Sequence, residues 1–179
     1  MIFVGGIHGV GKSYFCDQVK SNLNIPHYSA SELISTKKQK SFTVDKAVQK
    51  SDENTNYLIA ALNELDEKNM FLLDGHFCLM NTRNEIERIP KSTFQYLKPS
   101  AVVMLINSLE TIQQNLYKRD GKRYDKDFLY EFQKLEKEYS SEIARDLKIP
   151  FESINLEAPI NSNISTIKSL FKFINFSMS

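Results

Sequence analysis

Four of the chain's six glycines fall between positions 5 and 11, in the run Gly5-Gly6-Ile7-His8-Gly9-Val10-Gly11-Lys12-Ser13. From Gly6 to Ser13 the spacing is G-x-x-x-x-G-K-S, a loop built to hold phosphate. Glycine is needed because the backbone must turn tightly and aim its N–H groups at phosphate oxygens, where a side chain would obstruct. Lys12 adds a point charge for the β- and γ-phosphates, and the Ser13 hydroxyl is suited to ligate Mg²⁺. A helix opening at Lys12 would direct its partial positive end at the same anion. The expected ATP-contacting set is therefore Gly6, His8, Gly9, Val10, Gly11, Lys12, Ser13 and Tyr14. His8 has two readings, a hydrogen bond to phosphate or substrate and a solvent-facing variable position in the loop.

Such a loop needs an apolar strand before it and a helix after it, and residues 1–4 and 12–23 read that way. Further strands are expected at 27–29, 70–73, 101–106 and 151–154, alternating with amphipathic segments. That alternation predicts an α/β fold with a mainly parallel sheet. The runs at 70–73 and 101–106 are almost continuously apolar, as expected where helices cover both faces. Helices are expected over 54–68, 109–118, 127–147 and about 164–174. The long one carries Phe128, Phe132, Leu135, Tyr139, Ile143 and Leu147 along a stripe, and Asn107 or Ser108 would cap the one at 109. No repeat or Pro/Gly linker divides the 179 residues, a length that fits a single domain.

Composition narrows the partners. A net charge of +1 gives no global basic field for nucleic acid or anionic membrane. No apolar run approaches the roughly 18 residues of a membrane helix. The start Met1-Ile2-Phe3-Val4-Gly5 lacks the basic region and long apolar stretch of a secretory signal, so a cytoplasmic location is expected. The two cysteines, Cys16 and Cys78, have no zinc-ligand spacing, and each is expected to be a small buried hydrophobe.

Three further segments carry chemistry. Phe71-Leu72-Leu73-Asp74-Gly75 is an apolar strand ending in a carboxylate. Alone, a strand-terminal Asp-Gly marks a turn; beside the glycine loop, Asp74 is expected to hold Mg²⁺ together with Ser13. Between 118 and 127, five bases and three acids surround Gly121. Read as a lid, this stretch would close Arg119 and Arg123 over a moving phosphoryl group, both on one side if the helix continues, with Gly121 as a flexible point. Read as a charge run, it is a solvated face. Residues 37–50 hold five lysines and form either an acceptor-binding flap or another solvated face.

Together these segments resemble the nucleoside-monophosphate kinases, in particular the compact adenylate kinases of archaeal type. The glycine loop matches. Tyr28-Ser29-Ala30-Ser31-Glu32-Leu33 resembles the motif after the second strand, Leu72-Leu73-Asp74-Gly75-His76 the third-strand motif, and Lys118-Arg119-Asp120-Gly121-Lys122-Arg123-Tyr124-Asp125 the arginine-bearing lid. Ile89-Pro90 and Leu97-Lys98-Pro99-Ser100 follow the same order of elements. The resemblance implies a three-layer P-loop NTPase fold, with a five-stranded mainly parallel sheet, helices on both faces and a short lid at about 118–127. It also implies an acceptor-binding insert at about 30–56, ATP and Mg²⁺ as cofactors, and transfer of the γ-phosphate to a small acceptor, a nucleoside or nucleotide. Lys12, Arg119 and Arg123 would stabilise the phosphoryl group.

The chain departs from the common bacterial adenylate kinases at two places. Leu33-Ile34-Ser35 and His76-Phe77-Cys78 stand where those enzymes have arginines for the acceptor's phosphate. Lys37, Lys38, Arg83 and Arg88 are the bases left to substitute. Glu32 is then open to taking the proton of an acceptor hydroxyl, beside a ribose or base contact and plain exposure. Two other functions share the loop: a kinase for nucleic-acid ends, which the near-neutral charge disfavours, and a nucleotide-dependent regulatory ATPase or binding module.

Overall fold

The computed structural model describes residues 1–41, 52–65, 69–81 and 83–177. Its strands are β1 (Ile2–Gly5), β2 (His27–Ser29), β3 (Leu72–Asp74), β4 (Cys78–Met80), β5 (Ile86–Arg88), β6 (Ala101–Ile106) and β7 (Phe151–Asn155). β2, β3, β1, β6 and β7 lie side by side in that order, and every pairing among them is parallel. β1 is buried throughout and sits at the centre, because an all-apolar strand is stable only with neighbours on both edges and helices on both faces. The register sets Val4 opposite both Asp74 and Val103, and Ser29 opposite Asp74. Gly5, Asp74 and Ser29 therefore end their strands at one edge of the sheet, where ligands of open parallel sheets bind.

The helices are α1 (Lys12–Leu23), α2 (Ala30–Ser41), α3 (Asp52–Glu64), α4 (Lys91–Leu97), α5 (Leu109–Asp120), α6 (Lys126–Leu147) and α7 (Ile160–Ser177). α1 packs with α7 and against β2 and β3, whereas α6 packs with α4 and α5 and against β4, β6 and β7. No helix among the described residues is long and apolar enough to cross a membrane. Expected boundaries hold for β2, β6 and α1 and shift elsewhere. The third strand starts at Leu72 rather than 70, since the ladder opens with Leu72 N–H donating to Pro26 O, and it includes Asp74. Residues 66–68 of the helix expected over 54–68, and residues 42–50 of the expected flap, lie outside the described residues. Ser108 is the residue that caps α5, its hydroxyl accepting from Thr111 N–H. α2, α4 and the antiparallel β4–β5 hairpin are short elements without a strong apolar period, and none was expected from the pattern.

An aromatic cluster joins the layers. The Phe3 ring lies 5.0 Å edge-on from Phe77 and 5.5 Å from Phe94, Phe77 stacks on Phe94 at 4.8 Å, and Phe94 meets Tyr139 at 6.4 Å. β1, the segment after β3, α4 and α6 thus share one dry joint, and Tyr139 Oη satisfies itself by donating to Ile89 O at 2.6 Å. Gly5 is required by the same packing, because a Cβ there would lie 2.4 Å from the Phe77 ring. Phe94→Ala is expected to cost about 3–5 kcal/mol through the cavity it leaves, measured as a lowered urea midpoint with an unchanged slope. A loss below about 1 kcal/mol would mean that the layers do not depend on this joint.

Candidate active site

The glycine run closes into a cradle at the end of β1. Gly9 has φ 80° and Gly11 φ 111°, in the left-handed region where only glycine is unstrained. A Cβ on Gly9 would also lie 2.7 Å from Leu116 Cγ and 3.0 Å from Ile112 O. The loop carbonyls are tied back from outside: Asn115 Nδ2 donates to Gly9 O at 2.8 Å and Asn107 Nδ2 to Val10 O at 3.0 Å. The Val10 side chain is in the core. α1 opens with Gly11 at its N-cap, no side-chain cap and no acidic residue in its first turn. Its first N–H groups are left to an external anion.

Lys12 leads the helix. Its Nζ donates to Gly6 O at 2.6 Å and to Ile7 O at 3.3 Å, and lies 3.4 Å from His76 Nε2. No carboxylate among the described residues forms an ion pair with it, and burial holds the ammonium down to about 8. An ammonium that is desolvated, hydrogen-bonded to carbonyls and without a carboxylate partner fits a phosphate-binding role. His76 Nε2 can accept from this ammonium in the tautomer that carries the ring proton on Nδ1. Nδ1 is buried, without a hydrogen bond among the described residues, 3.9 Å from Glu136 Oε1. The His8 ring packs on His76 at 4.1 Å, so His8 is not simply solvent-facing. Burial first and then Lys12 push His8 down to about 4 and His76 well below the ordinary range, so both are neutral at pH 7. Ser13 and Tyr14 are exposed on the first turn of α1.

Behind the loop lies Glu136, a carboxylate with no exposure to solvent. Oε1 accepts from Gly6 N–H at 3.3 Å and Phe77 N–H at 2.9 Å, and Oε2 accepts from Cys78 N–H at 2.5 Å. Burial raises its pKa to about 7, against the pull of those three amides and of Lys12. Sequence reading passed over this residue, although a signal existed. Glu136 sits four residues after Phe132 and three before Tyr139, on the stripe of α6 that otherwise faces the core.

At the end of β3, Asp74 is 5% exposed and its Oδ2 lies 2.6 Å from His27 Nε2. His27 Nδ1 faces Asp17 Oδ1 at 3.4 Å, and these carboxylates raise the His27 pKa against its burial. Cys16 and Cys78 are both free and buried, as expected.

The charged segments sit differently from a continuous helix. α5 ends at Asp120 with Gly121 in the left-handed cap conformation, φ 68°. Arg119 and Arg123 are therefore not on one helix face: the Arg119 guanidinium binds Asp120 through two contacts of 2.6 Å, and Arg123 lies over the Tyr117 ring at 5.6 Å. Arg119 nonetheless lines, with His8, Met80, Tyr124 and Phe128, a recess of about 150 Å³ beside the loop. Glu32 is exposed in the first turn of α2. Of the bases considered as acceptor-phosphate ligands, Lys37 pairs with Glu64, Arg88 pairs with Glu142 at 3.2 Å and covers the Tyr139 ring at 4.7 Å, and Lys38 lies over Tyr57 at 5.7 Å.

Known proteins bear on this arrangement. A family model described as an AAA domain matches residues 5–133, from the loop into α6. Among solved structures, the chain is similar to a gluconokinase from Sinorhizobium meliloti 1021, with a TM-score of 0.55 and 13% identity over 99% of this chain and 94% of that one. At that identity the likeness is one of fold, a parallel five-stranded P-loop sheet with helices on both faces. No curated protein matches the sequence. Since the family match runs through most of the 179 residues and includes the glycine-rich loop, the chain belongs to the AAA domain family.

Proposed function

We propose that this protein is an ATP-dependent phosphotransferase that moves the γ-phosphate to a small acceptor, with nucleosides and nucleotides as the favoured class. The observation that carries the reading is Lys12: a desolvated ammonium in no ion pair with a carboxylate among the described residues, beside a helix N-terminus without a side-chain cap. In this reading the chain acts as one domain, with an acceptor-binding insert at about 30–56 and a lid at about 118–127. The loop from Gly6 to Ser13 binds the phosphates, its Gly6 amide remaining with Glu136, His8 and Tyr14 border them, and Lys12 exchanges its carbonyl partners for phosphate oxygens. Ser13 and Asp74 would hold Mg²⁺, which supplies charge neutralisation at the β- and γ-oxygens. Arg119 would release Asp120 to meet the transferring phosphoryl group, assisted by Arg123, and Glu32 would take the acceptor's proton.

Two observations narrow the acceptor. Lys37 and Arg88 are engaged with Glu64 and Glu142, which favours an acceptor hydroxyl over an acceptor phosphate. The recess beside His8 and Arg119 is lined mainly by Met80, Leu116 and aromatic side chains and has the volume of a single ring. Glu136 acts as the positioning residue of the loop, since it fixes Gly6 N–H.

Incubating the protein with Mg²⁺, labelled ATP and a panel of nucleosides, nucleoside monophosphates and oligonucleotides is expected to label one small acceptor. Lys12→Ala should lower that transfer at least about 100-fold. Phosphate release that no acceptor alters would instead favour a regulatory ATPase. Arg119→Ala is expected to reduce kcat by about 100-fold or more with little change in the KM for ATP; an effect confined to KM would move Arg119 out of the transfer step. Glu136 also leaves a pH signature. Its folded pKa of about 7 lies above the ordinary carboxylate value of 4.5, so the folded state holds the extra proton between them. Its contribution to stability is full below pH 4.5 and is lost as pH rises through 7. Glu136→Gln should remove that slope in a comparison of urea unfolding at pH 5 and pH 8, and equal slopes in the two proteins would refute the assignment.

A further inference from the structure

Beneath the phosphate loop, side chains from three elements converge. Cys16 of α1, His27 of β2 and Asp74 of β3 each bring one potential ligand atom within 4.8 Å of the other two. The Cys16 side chain is fully buried, and those of His27 and Asp74 are 11% and 7% exposed. The donors stand far apart in sequence, which is why the cysteine spacing did not suggest a metal. The parallel pairing of β2 with β3, and the packing of α1 against both, bring them together.

We propose that Cys16, His27 and Asp74 form a site for a thiophilic divalent cation of the zinc type, with the fourth position left to water. A thiolate, an imidazole and a carboxylate are the donors Zn²⁺ accepts, whereas thiolate discriminates against Mg²⁺. With metal–ligand bonds of about 2.0–2.3 Å, neighbouring tetrahedral donors lie about 3.4–3.7 Å apart, within the observed spread. The His27–Asp74 contact, now 2.6 Å, opens by roughly 1 Å to admit the ion between them. The outer shell is already in place: Asp17 Oδ1 faces His27 Nδ1 at 3.4 Å, the arrangement in which a carboxylate orients a metal-bound imidazole through its second nitrogen. On binding, the Cys16 thiol proton passes to solvent, as does the Nε2 proton of any His27 that is in the imidazolium form; Nδ1–H stays toward Asp17, and no electron is transferred. The site goes beyond the phosphotransfer reading and is testable without nucleotide. Because Asp74 belongs to both, an ion bound here would withdraw it from the Mg²⁺ role.

Titrating Co²⁺ into the nucleotide-free protein reads the site directly, since a thiolate ligand produces an intense near-ultraviolet charge-transfer band and four-coordination produces visible bands. The expected result is one equivalent of Co²⁺ with both features, displaced by one equivalent of Zn²⁺ and retained in excess Mg²⁺. Cys16→Ser should abolish the charge-transfer band and His27→Gln should weaken Co²⁺ binding at least about 10-fold, with circular dichroism confirming that each is folded. Cys78→Ser should leave the spectrum unchanged. A wild-type protein without the thiolate band overturns the proposal, as does a band that survives Cys16→Ser or disappears with Cys78→Ser. Should Cys16→Ser fail to fold, the His27→Gln affinity and the Cys78→Ser spectrum still decide: unchanged affinity in the first, or a lost band in the second, refutes the site.

Discussion

A carboxylate without contact to water holds the phosphate loop to the rest of the molecule. Glu136 projects from the middle of α6 and gathers the amides of Gly6, Phe77 and Cys78. An ionisable group in such a place is stable only when its lone pairs are met by donors, and here the donors are backbone amides that would otherwise be orphaned at the sheet's edge. Each amide left unpaired in the interior costs about 1–3 kcal/mol, so the exchange is mutual. Its geometric effect is to register three things against one another: the first turn of the loop, the segment leaving β3, and the long helix.

The electrostatics of the site follow from that clamp. α6 excludes water from beneath the loop, and the dry surroundings keep His8 and His76 neutral and lower the proton affinity of Lys12. The site thus sets two neutral rings around one ammonium that is hydrogen-bonded to backbone carbonyls. The aromatic joint of Phe3, Phe77, Phe94 and Tyr139 sits on the same segment that Glu136 grips, so packing and hydrogen bonding act on Phe77 together. On the other side of β1, His27 and Asp74 are tied across neighbouring strands, which keeps the strand-end carboxylate from turning freely.

Much was legible in the order of residues because the signals were local. The glycine spacing, the apolar run at 101–106 and the stripe on α6 each lie within one element, where periodicity and turn chemistry act directly. The charged stretch after α5 was only half legible. Gly121 marks the end of α5, but the separate surroundings of Arg119 and Arg123 follow from its left-handed cap, which breaks the helix that would have aligned them. The hairpin and α4 carry too few residues for a period to show.

The glycine-rich turn, the parallel α/β order and the burial of both cysteines could be read from the order of residues alone, since each follows from a run of a few neighbours. Only the tertiary structure decided that Glu136 meets Gly6 across 130 positions, that Lys12 meets His76, and that Cys16, His27 and Asp74 share one corner. The physical reason is that a polar group's partner is chosen by which elements pack together and in what register, and that choice has no trace in the spacing along the chain.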